Sequence, residues 1–148
     1  MESMYRGNGI QFRYPDCWEL SEEAGEGATT VSVHTDETAF WSITVMPERP
    51  PIDELLKSVR ETFEQEYEER DFHEVEEAVS AYDTVGFDVE FVCLELINTA
   101  VVRTFRTGRF SIVILFQGYD GELIQVREEF EKIGDSLVCE FGDDVVID

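Results

Sequence analysis

The stretch Thr84–Tyr119, TVGFDVEFVCLELINTAVVRTFRTGRFSIVILFQGY, decides the fold because it predicts three consecutive β-strands. The last of them contains the unbroken apolar run Ile112–Phe116, preceded by Phe110. Such a run is typical of a strand that is buried on both faces of a sheet. A sheet that is apolar on both faces needs cover on both faces, so we expect a helix above it and a helix below it.

The other two strands of this stretch differ in polarity. The middle strand, Ala100–Thr107, contains Arg103 and Arg106, so we expect one of its sides or ends to reach water. Asn98-Thr99 and Thr107-Gly108-Arg109 are short enough for tight antiparallel turns, and the glycine of the second is free to take a positive φ. The first strand is apolar at alternate positions on both sides, with Phe87, Val89, Phe91 and Cys93 on one side and Val92, Leu94 and Leu96 on the other.

An amphipathic helix is predicted on each side of this stretch of the chain. The first begins at Pro51, which suits the first helical position, and ends before Asp71. The second covers Gly121–Leu137, with Asp120 as its N-terminal cap. Each has one apolar stripe at spacings of three and four residues: Ile52, Leu55, Leu56, Val59, Phe63 and Tyr67 in the first, and Leu123, Val126, Phe130, Ile133 and Leu137 in the second.

Four further strands complete the predicted sheet. Gly9–Tyr14, Thr29–Thr35 and Ala39–Met46 alternate apolar and polar residues. Ser21–Gly27 lies between the first two as a polar loop. The charged segment Phe72–Tyr82 suits an edge strand, because charged side chains discourage pairing with other chains.

These elements predict one α+β domain over residues 1–148. Its architecture is an antiparallel sheet of about six or seven strands with helices packed on both faces, an α/β/α sandwich. The acidic tail after Leu137 either adds a strand at Val145–Ile147 or frays.

Acidic residues dominate the composition. The chain has 34 Asp and Glu against 11 Lys and Arg, a formal net charge of −23. Such a surface repels nucleic-acid phosphates and anionic membranes, and it favours a basic protein partner or cations. The alternative is a solvated surface suited to salty surroundings, which the scarcity of lysine (Lys57 and Lys132 only) also favours.

Several features point to the cytoplasm. No apolar run approaches the roughly 20 residues that span a bilayer, so membrane insertion is not expected. The first residues lack the basic start and apolar stretch of a secretion signal. The cysteines are odd in number and form no C-x-x-C pair, which argues against a disulfide framework.

The histidines give no clear metal site. His34 lies on the polar face of a strand, and His73 follows Phe72 at the boundary of an element. Neither has a second histidine or cysteine at the spacing that a metal site requires. The sequence therefore leaves the metal ligands unknown, and the one weak candidate is His73 together with Glu74 and Glu76.

No catalytic constellation is visible either. Cys17, Cys93 and Cys139 lack any sign of the neighbouring base that activates a nucleophilic thiol, so core or inert surface positions are expected for all three. The glycine pairs precede strand patterns, whereas a phosphate-binding loop precedes a helix. We therefore predict that the protein is not an enzyme and holds no cofactor.

The chain resembles the PsbP-like family, which shares the fold of the extrinsic photosystem II protein and of a Ran-binding nuclear import factor. The resemblance covers nearly the whole chain and rests on an opening F-x-Y-P-x-x-W (Phe12 to Trp18), a proline-started amphipathic helix, hairpins ending in Gly108-Arg109-Phe110, and a closing helix with Phe130–Ile133 and Ser136-Leu137. It implies a binding or accessory role, since family members include secretion adaptors and lipoproteins. This chain departs from them in having no leader peptide or lipobox cysteine.

The leading hypothesis is a non-enzymatic accessory protein of unknown oligomeric state that acts through contacts with another protein. Its partner would be basic or would offer a hydrophobic segment. One alternative is a small-ligand or divalent-cation binder that uses acidic side chains near Trp18 and Trp41, and another is an acidic secretion chaperone. The expected partner-binding residues are Glu61, Glu64, Glu68, Arg103 and Arg106.

Overall fold

The computed structural model describes residues 1–140, which form ten strands and two helices. Within those residues, neither helix is long and apolar enough to cross a membrane. The elements in chain order are β1 (Glu2–Gly7), β2 (Ile10–Pro15), β3 (Glu19–Gly25), β4 (Ala28–His34), β5 (Phe40–Met46), α1 (Ile52–Glu66), β6 (Arg70–Val79), β7 (Tyr82–Cys93), β8 (Leu96–Arg106), β9 (Ser111–Tyr119), α2 (Asp120–Asp135) and β10 (Val138–Cys139).

Seven strands form one antiparallel sheet in the order β3-β4-β5-β9-β8-β7-β6. This confirms the predicted fold class, including the three consecutive strands of Thr84–Tyr119. The apolar run of β9 occupies the middle position, with three strands on either side. The charged strand β6 lies at one edge, as predicted.

A hydrophobic core lies on each face of the sheet. On one face α2 covers Trp41, Ile43, Ile112, Ile114 and Phe116, and its own Phe130 and Ile133 complete the layer. On the other face Phe63 of α1 packs with Phe87, Val89, Phe91, Val102 and Val113. Alternate residues of β9 therefore enter different cores, which is what its unbroken apolar sequence predicts.

Two details of the central hairpins differ from the prediction. The turn between β7 and β8 is Leu94-Glu95, and Asn98-Thr99 lies inside β8. Gly108 is not among the glycines with positive φ. Thr107 orders that turn instead, because its Oγ1 accepts hydrogen bonds from the N–H groups of Arg109 and Phe110 at 3.1 and 3.2 Å.

The prediction of a loop at Ser21–Gly27 is wrong, since most of it belongs to strand β3. Within residues 1–140, this strand lies at an edge of the sheet and pairs with β4 alone. An edge strand needs backbone hydrogen-bond partners but little apolar surface. The sequence of β3 is polar for this reason and lacks the apolar alternation by which a strand is predicted.

A second, three-stranded sheet of order β1-β2-β10 was not foreseen. The alternating pattern at Gly9–Tyr14 correctly gave strand β2, but this strand pairs with β1 and β10 rather than with the large sheet. Aromatic contacts hold it against the α2-side core, with the ring centroids of Phe12 and Trp41 4.9 Å apart. The strand suggested at Val145–Ile147 lies outside the described residues.

The first turn of α2 is joined to the β4–β5 connection by the buried carboxylate of Glu122. It accepts hydrogen bonds from Thr35 Oγ1 at 2.7 Å, from Thr38 Oγ1 at 2.8 Å and from the N–H of Ala39 at 3.0 Å. Asp120, the predicted cap, is instead the first helical residue, and its side chain accepts a hydrogen bond from Thr99 Oγ1. Burial by itself raises the pKa of Glu122, but the hydrogen bonds outweigh it and leave the pKa below its ordinary value.

Glu122→Gln should lower the free energy of unfolding at neutral pH by about 2 kcal/mol, because an amide nitrogen cannot accept these hydrogen bonds. A lowered folded-state pKa means that the contribution of Glu122 is complete above its unfolded pKa and is lost as the pH falls through the folded one. The stability difference between wild type and variant should therefore narrow in acid. Urea unfolding at several pH values measures it, and the exposed Glu128→Gln should show no such pH-dependent difference.

Gly86 allows β7 and β8 to approach closely. A Cβ at this position would lie 1.8 Å from the carbonyl oxygen of Val102. We expect Gly86→Ala to lower the free energy of unfolding by at least about 2 kcal/mol in urea titrations. Gly25→Ala is the matched control, since its Cβ would meet only the carbonyl oxygen of Ala28 at 3.8 Å. Equal stability of the two variants would contradict this account.

The net charge of −23 predicts that the folded state is stabilised by salt. Raising KCl from about 0.1 M to about 1 M shortens the screening length from about 10 Å to about 3 Å and weakens repulsion between surface carboxylates. The melting temperature should rise over this range, and a flat or falling value in calorimetry would count against strong repulsion.

Candidate functional site

The tip of the β7–β8 hairpin exposes a cluster of apolar side chains. Leu94 is 90% exposed, Ile97 55% and Leu96 49%. Neither helix covers these residues, although the sequence pattern had placed Leu94 and Leu96 on a buried face. We call Leu94, Leu96 and Ile97 the apolar tip.

The backbone of the apolar tip is unusual for its sequence. Leu94 and Glu95 both have positive φ, at 53° and 66°. A two-residue hairpin turn of this geometry favours Asn-Gly, because left-handed backbone is unfavourable for most side chains. The β1–β2 turn of the same chain follows the rule, with Asn8 and Gly9 at 54° and 83°.

Carboxylates border the apolar tip. A shallow depression of about 430 Å³ beside it includes Ile97, Phe91 and Val92 in its lining. The charged residues that line it are Glu68, Glu69, Asp71, Glu90, Asp120 and Arg70. Arg70 is engaged locally, since its Nη1 donates to the carbonyl oxygens of Tyr67 and Glu68 at 3.2 and 2.9 Å. This surface is therefore both apolar and strongly anionic.

The predicted pairing of His73 with Glu74 and Glu76 is not what the strand geometry provides. Successive residues point to opposite faces, and the register places His73 beside Asp71 and across from β7. His73 Nε2 lies 3.2 Å from Asp71 Oδ2, and Glu90 brings a third ligand atom within 4.8 Å of both. All three side chains are exposed, and three such groups do not by themselves define a metal site.

A second concave region lies between α2 and strands β6 to β8. This cavity has a volume of about 460 Å³ and is lined on the helix side by Phe130, Arg127 and Asp135. On the sheet side, Trp41 and Arg103 contribute to its wall. We call it the α2 cavity.

Arg103 forms the polar part of the wall of the α2 cavity. Its Nε donates to Glu77 Oε2 at 2.5 Å and its Nη1 to Asp88 Oδ1 at 2.8 Å. Only 4% of the residue is exposed, so the expectation that this side of β8 reaches water is wrong for Arg103. The two carboxylates are what make this burial tolerable.

The structure does not bring the five expected partner-binding residues together. Glu61, Glu64 and Glu68 are exposed, the first two on α1 and the third just after it. Arg103 is buried, and Arg106 is half-buried with its Nη2 donating to the carbonyl oxygen of Arg49. Of the five, Glu68 alone lines the depression beside the apolar tip.

Sequence reasoning missed the apolar tip because it placed the turn four residues too late. No glycine or proline occurs between Gly86 and Gly108, so neither residue type marks the turn at Leu94-Glu95. An apolar turn without a usual turn residue is detectable only once the strand register is known.

The three cysteines are free and differ in burial. Cys139 is buried, and burial raises the pKa of its thiol to about 11, so the nucleophilic thiolate is scarce at neutral pH. Cys93 is partly buried beside the α1-side core, and Cys17 is exposed.

Solved structures share this fold. No family model and no curated protein matches the chain. Cyanobacterial PsbP from Synechocystis sp. PCC 6803 is similar over 93% of this chain and 92% of its own, with a TM-score of 0.56 and 18% identity. PA94, a Pseudomonas aeruginosa protein of unknown function, is similar over 93% and 96%, with a TM-score of 0.54 and 12% identity.

A protein from Bacteroides thetaiotaomicron VPI-5482 matches 97% of this chain with a TM-score of 0.62 and 14% identity. This chain spans only 49% of that protein, or about half its length. These similarities confirm the predicted resemblance at the level of the fold: the chain has the PsbP-like fold. At such low identity they show nothing further about activity or partners.

Proposed function

We propose that this chain is a non-enzymatic binding protein that contacts a basic, amphipathic segment of a protein partner through the apolar tip. The observation that carries the proposal is Leu94, a 90% exposed leucine held at positive φ. The cytoplasm is the compartment that we propose for this contact.

The conformation of Leu94 is unfavourable without a partner. Left-handed backbone costs an ordinary L-residue about 1–2 kcal/mol, and exposure of a large apolar side chain to water brings no compensating burial. Strain of this kind in a native structure motivates a functional hypothesis, since an Asn-Gly turn would serve the fold better. Burial of the Leu94 side chain against a partner would offset the free-energy cost of its left-handed backbone.

The negative charge around the apolar tip indicates that the partner segment is basic. Five acidic residues and one arginine line the adjoining depression, and Glu95 lies in the turn itself. A segment with apolar residues flanked by lysine or arginine would match both the leucine and the carboxylates. Among the residues expected from the sequence, Glu68 belongs to this surface, and Glu61 and Glu64 extend the anionic surface along α1.

The chaperone alternative has less support. It rests on the sequence pI of about 4.1.

Leu94→Asn should weaken binding of a fluorescein-labelled amphipathic leucine–lysine peptide at least about tenfold in anisotropy titrations. The same substitution should leave the free energy of unfolding unchanged or raise it by about 1 kcal/mol, because asparagine tolerates positive φ. Loss of binding with undiminished stability would separate a functional residue from a structural one.

Met4→Asn is the matched control, because Met4 is also apolar and 51% exposed but lies on β1. Its affinity for the peptide should equal that of wild type, and a leucine–glutamate peptide should not bind. If Leu94→Asn and Met4→Asn bind the basic peptide equally well, attraction to the acidic surface as a whole explains binding and the apolar tip has no special role.

A further inference from the structure

We infer that the partner segment binds as an added β-strand along the outer edge of β6, the side of that strand that faces away from β7. A basic stretch of the partner in extended conformation would run along β6 and end on the apolar tip. The inference rests on the proposed function and deepens it, because it gives the partner segment a conformation and a binding surface. In β-strand addition, main-chain hydrogen bonds give affinity, and side chains on alternate faces give specificity.

The backbone of β6 has hydrogen-bonding groups that point away from the sheet. The N–H of Val92 donates to the carbonyl oxygen of Glu69 at 3.1 Å, which fixes the hydrogen-bonded pairs of the β6–β7 ladder. Every second residue after Glu69 bonds β7 in the same way, and the residues between them direct N–H and C=O outward. Phe72, Glu74 and Glu76 are in this outward set, and within residues 1–140 no strand lies on that side of β6.

The regularity of β6 suits it to accept a further strand. Its ten residues, Arg70–Val79, contain no glycine or proline and pair with β7 residue by residue. Sheet edges are commonly protected by proline, by a bulge or by charged side chains, and of these three devices β6 has the charges alone. Charges prevent pairing with a strand of the same sign and favour pairing with a strand of the opposite sign.

The charges of this edge indicate which strand it accepts. Residues 68–79 include six acidic residues and one arginine, and all seven are exposed. Glu77 already pairs with Arg103, so the basic residues of a partner would meet the other five carboxylates. A second copy of this chain on β6 would place like charges opposite one another, which is unfavourable. The edge therefore favours a basic segment of another protein over self-association.

The outer edge of β6 leads directly to the apolar tip. Arg70, the first residue of β6, lies opposite Phe91 of β7, three positions before Leu94. At about 3.4 Å per residue, this separation corresponds to about 10 Å of extended chain. Glu68 and Arg70 also line the depression beside the apolar tip, together with Ile97. One continuous segment can therefore pair with β6 and cover Leu94.

The opposite edge of the sheet lacks this combination. β3 has seven residues against ten in β6, and it lies at the other end of the strand order. The apolar tip joins β7 to β8, so a segment on β3 would not reach it. β3 therefore serves as an internal control.

Two fluorescein-labelled peptides with the same numbers of leucine and lysine residues test the conformation of the partner. One alternates leucine and lysine with the period of a strand, and the other repeats them with the period of a helix. In anisotropy titrations of the full chain, with peptide at nanomolar concentration, the alternating peptide should bind at least about tenfold more tightly.

Backbone N-methylation of the alternating peptide tests the main-chain hydrogen bonds without any change to the protein. Methylation of every second N–H removes the donors from one edge of the peptide strand and keeps its side chains and charge. One of the two possible sets should weaken binding at least about tenfold and the other less than about threefold, because an added strand pairs along one edge only.

Glu74→Pro removes one outward-facing N–H, at a position where an edge strand tolerates proline. It should weaken binding of the alternating peptide at least about tenfold. Glu74→Gln is the matched control, because it removes the same charge and keeps the N–H, and its effect should stay below about threefold.

Amide hydrogen exchange of the ¹⁵N-labelled chain gives a readout that needs no variant. At saturating peptide, the amides of Phe72, Glu74 and Glu76 should exchange at least about tenfold more slowly, because they become hydrogen-bonded. The amides of β3 should keep their rates.

Three results would overturn the inference: equal affinity of the two peptides, equal effects of the two N-methylation sets, or unchanged exchange of the β6 amides in the saturated complex. Self-association in sedimentation experiments that Glu74→Pro abolishes would assign the edge to a second copy and also contradict it. The proposed function fails separately, if Leu94→Asn and Met4→Asn bind the basic peptide equally well. If binding depends on Leu94 but any of the other results is found, only the added strand is excluded.

Discussion

Burial of β9 on both of its faces is the constraint on which the rest of the structure depends. Ile112, Ile114 and Phe116 belong to the α2-side core, while Val113 belongs to the α1-side core. Full burial of each such side chain contributes about 1.5–3 kcal/mol, against a total stability of about 5–15 kcal/mol for a typical domain. Removal of the helix from either face would expose these side chains and cancel most of the domain's stability. Each face therefore needs its helix.

The packing of α2 on the sheet also buries charged side chains, which then need hydrogen-bond or ion-pair partners. Arg103 lies on the α2 face of β8, opposite Ile114 of β9, and is buried because Glu77 and Asp88 meet it from β6 and β7. Glu122 is buried on the same side and is satisfied by Thr35, Thr38 and Ala39. Both carboxylate oxygens of Glu122 accept hydrogen bonds within the fold, and Arg103 donates to two carboxylates and to the backbone oxygens of Phe87 and Val102.

Arg103 and Glu122 are charged and buried, whereas the side chains of the apolar tip are apolar and lie outside both hydrophobic cores. The sequence showed Leu94 and Leu96 as candidates for burial, and periodicity alone predicted both helices and the strands with apolar alternation, but not β1, β3 or β10. Placing the turn at Leu94-Glu95 required the β7–β8 register, which pairs Cys93 with Leu96. Leu94 is exposed because it lies in the turn itself, outside the strands that the helices cover, so the periodicity that predicted the fold did not predict this site.

The sequence by itself determined the elements that depend on local periodicity: the doubly buried β9, the two amphipathic helices, the charged edge strand β6 and the anionic surface. Only the tertiary structure decided which distant residues meet, namely Arg103 with Glu77 and Asp88, Trp41 with α2, and β2 with β10 in a second sheet. The physical reason is that periodicity reports which side of an element is apolar, whereas pairing partners are selected by packing and charge across elements far apart in the chain.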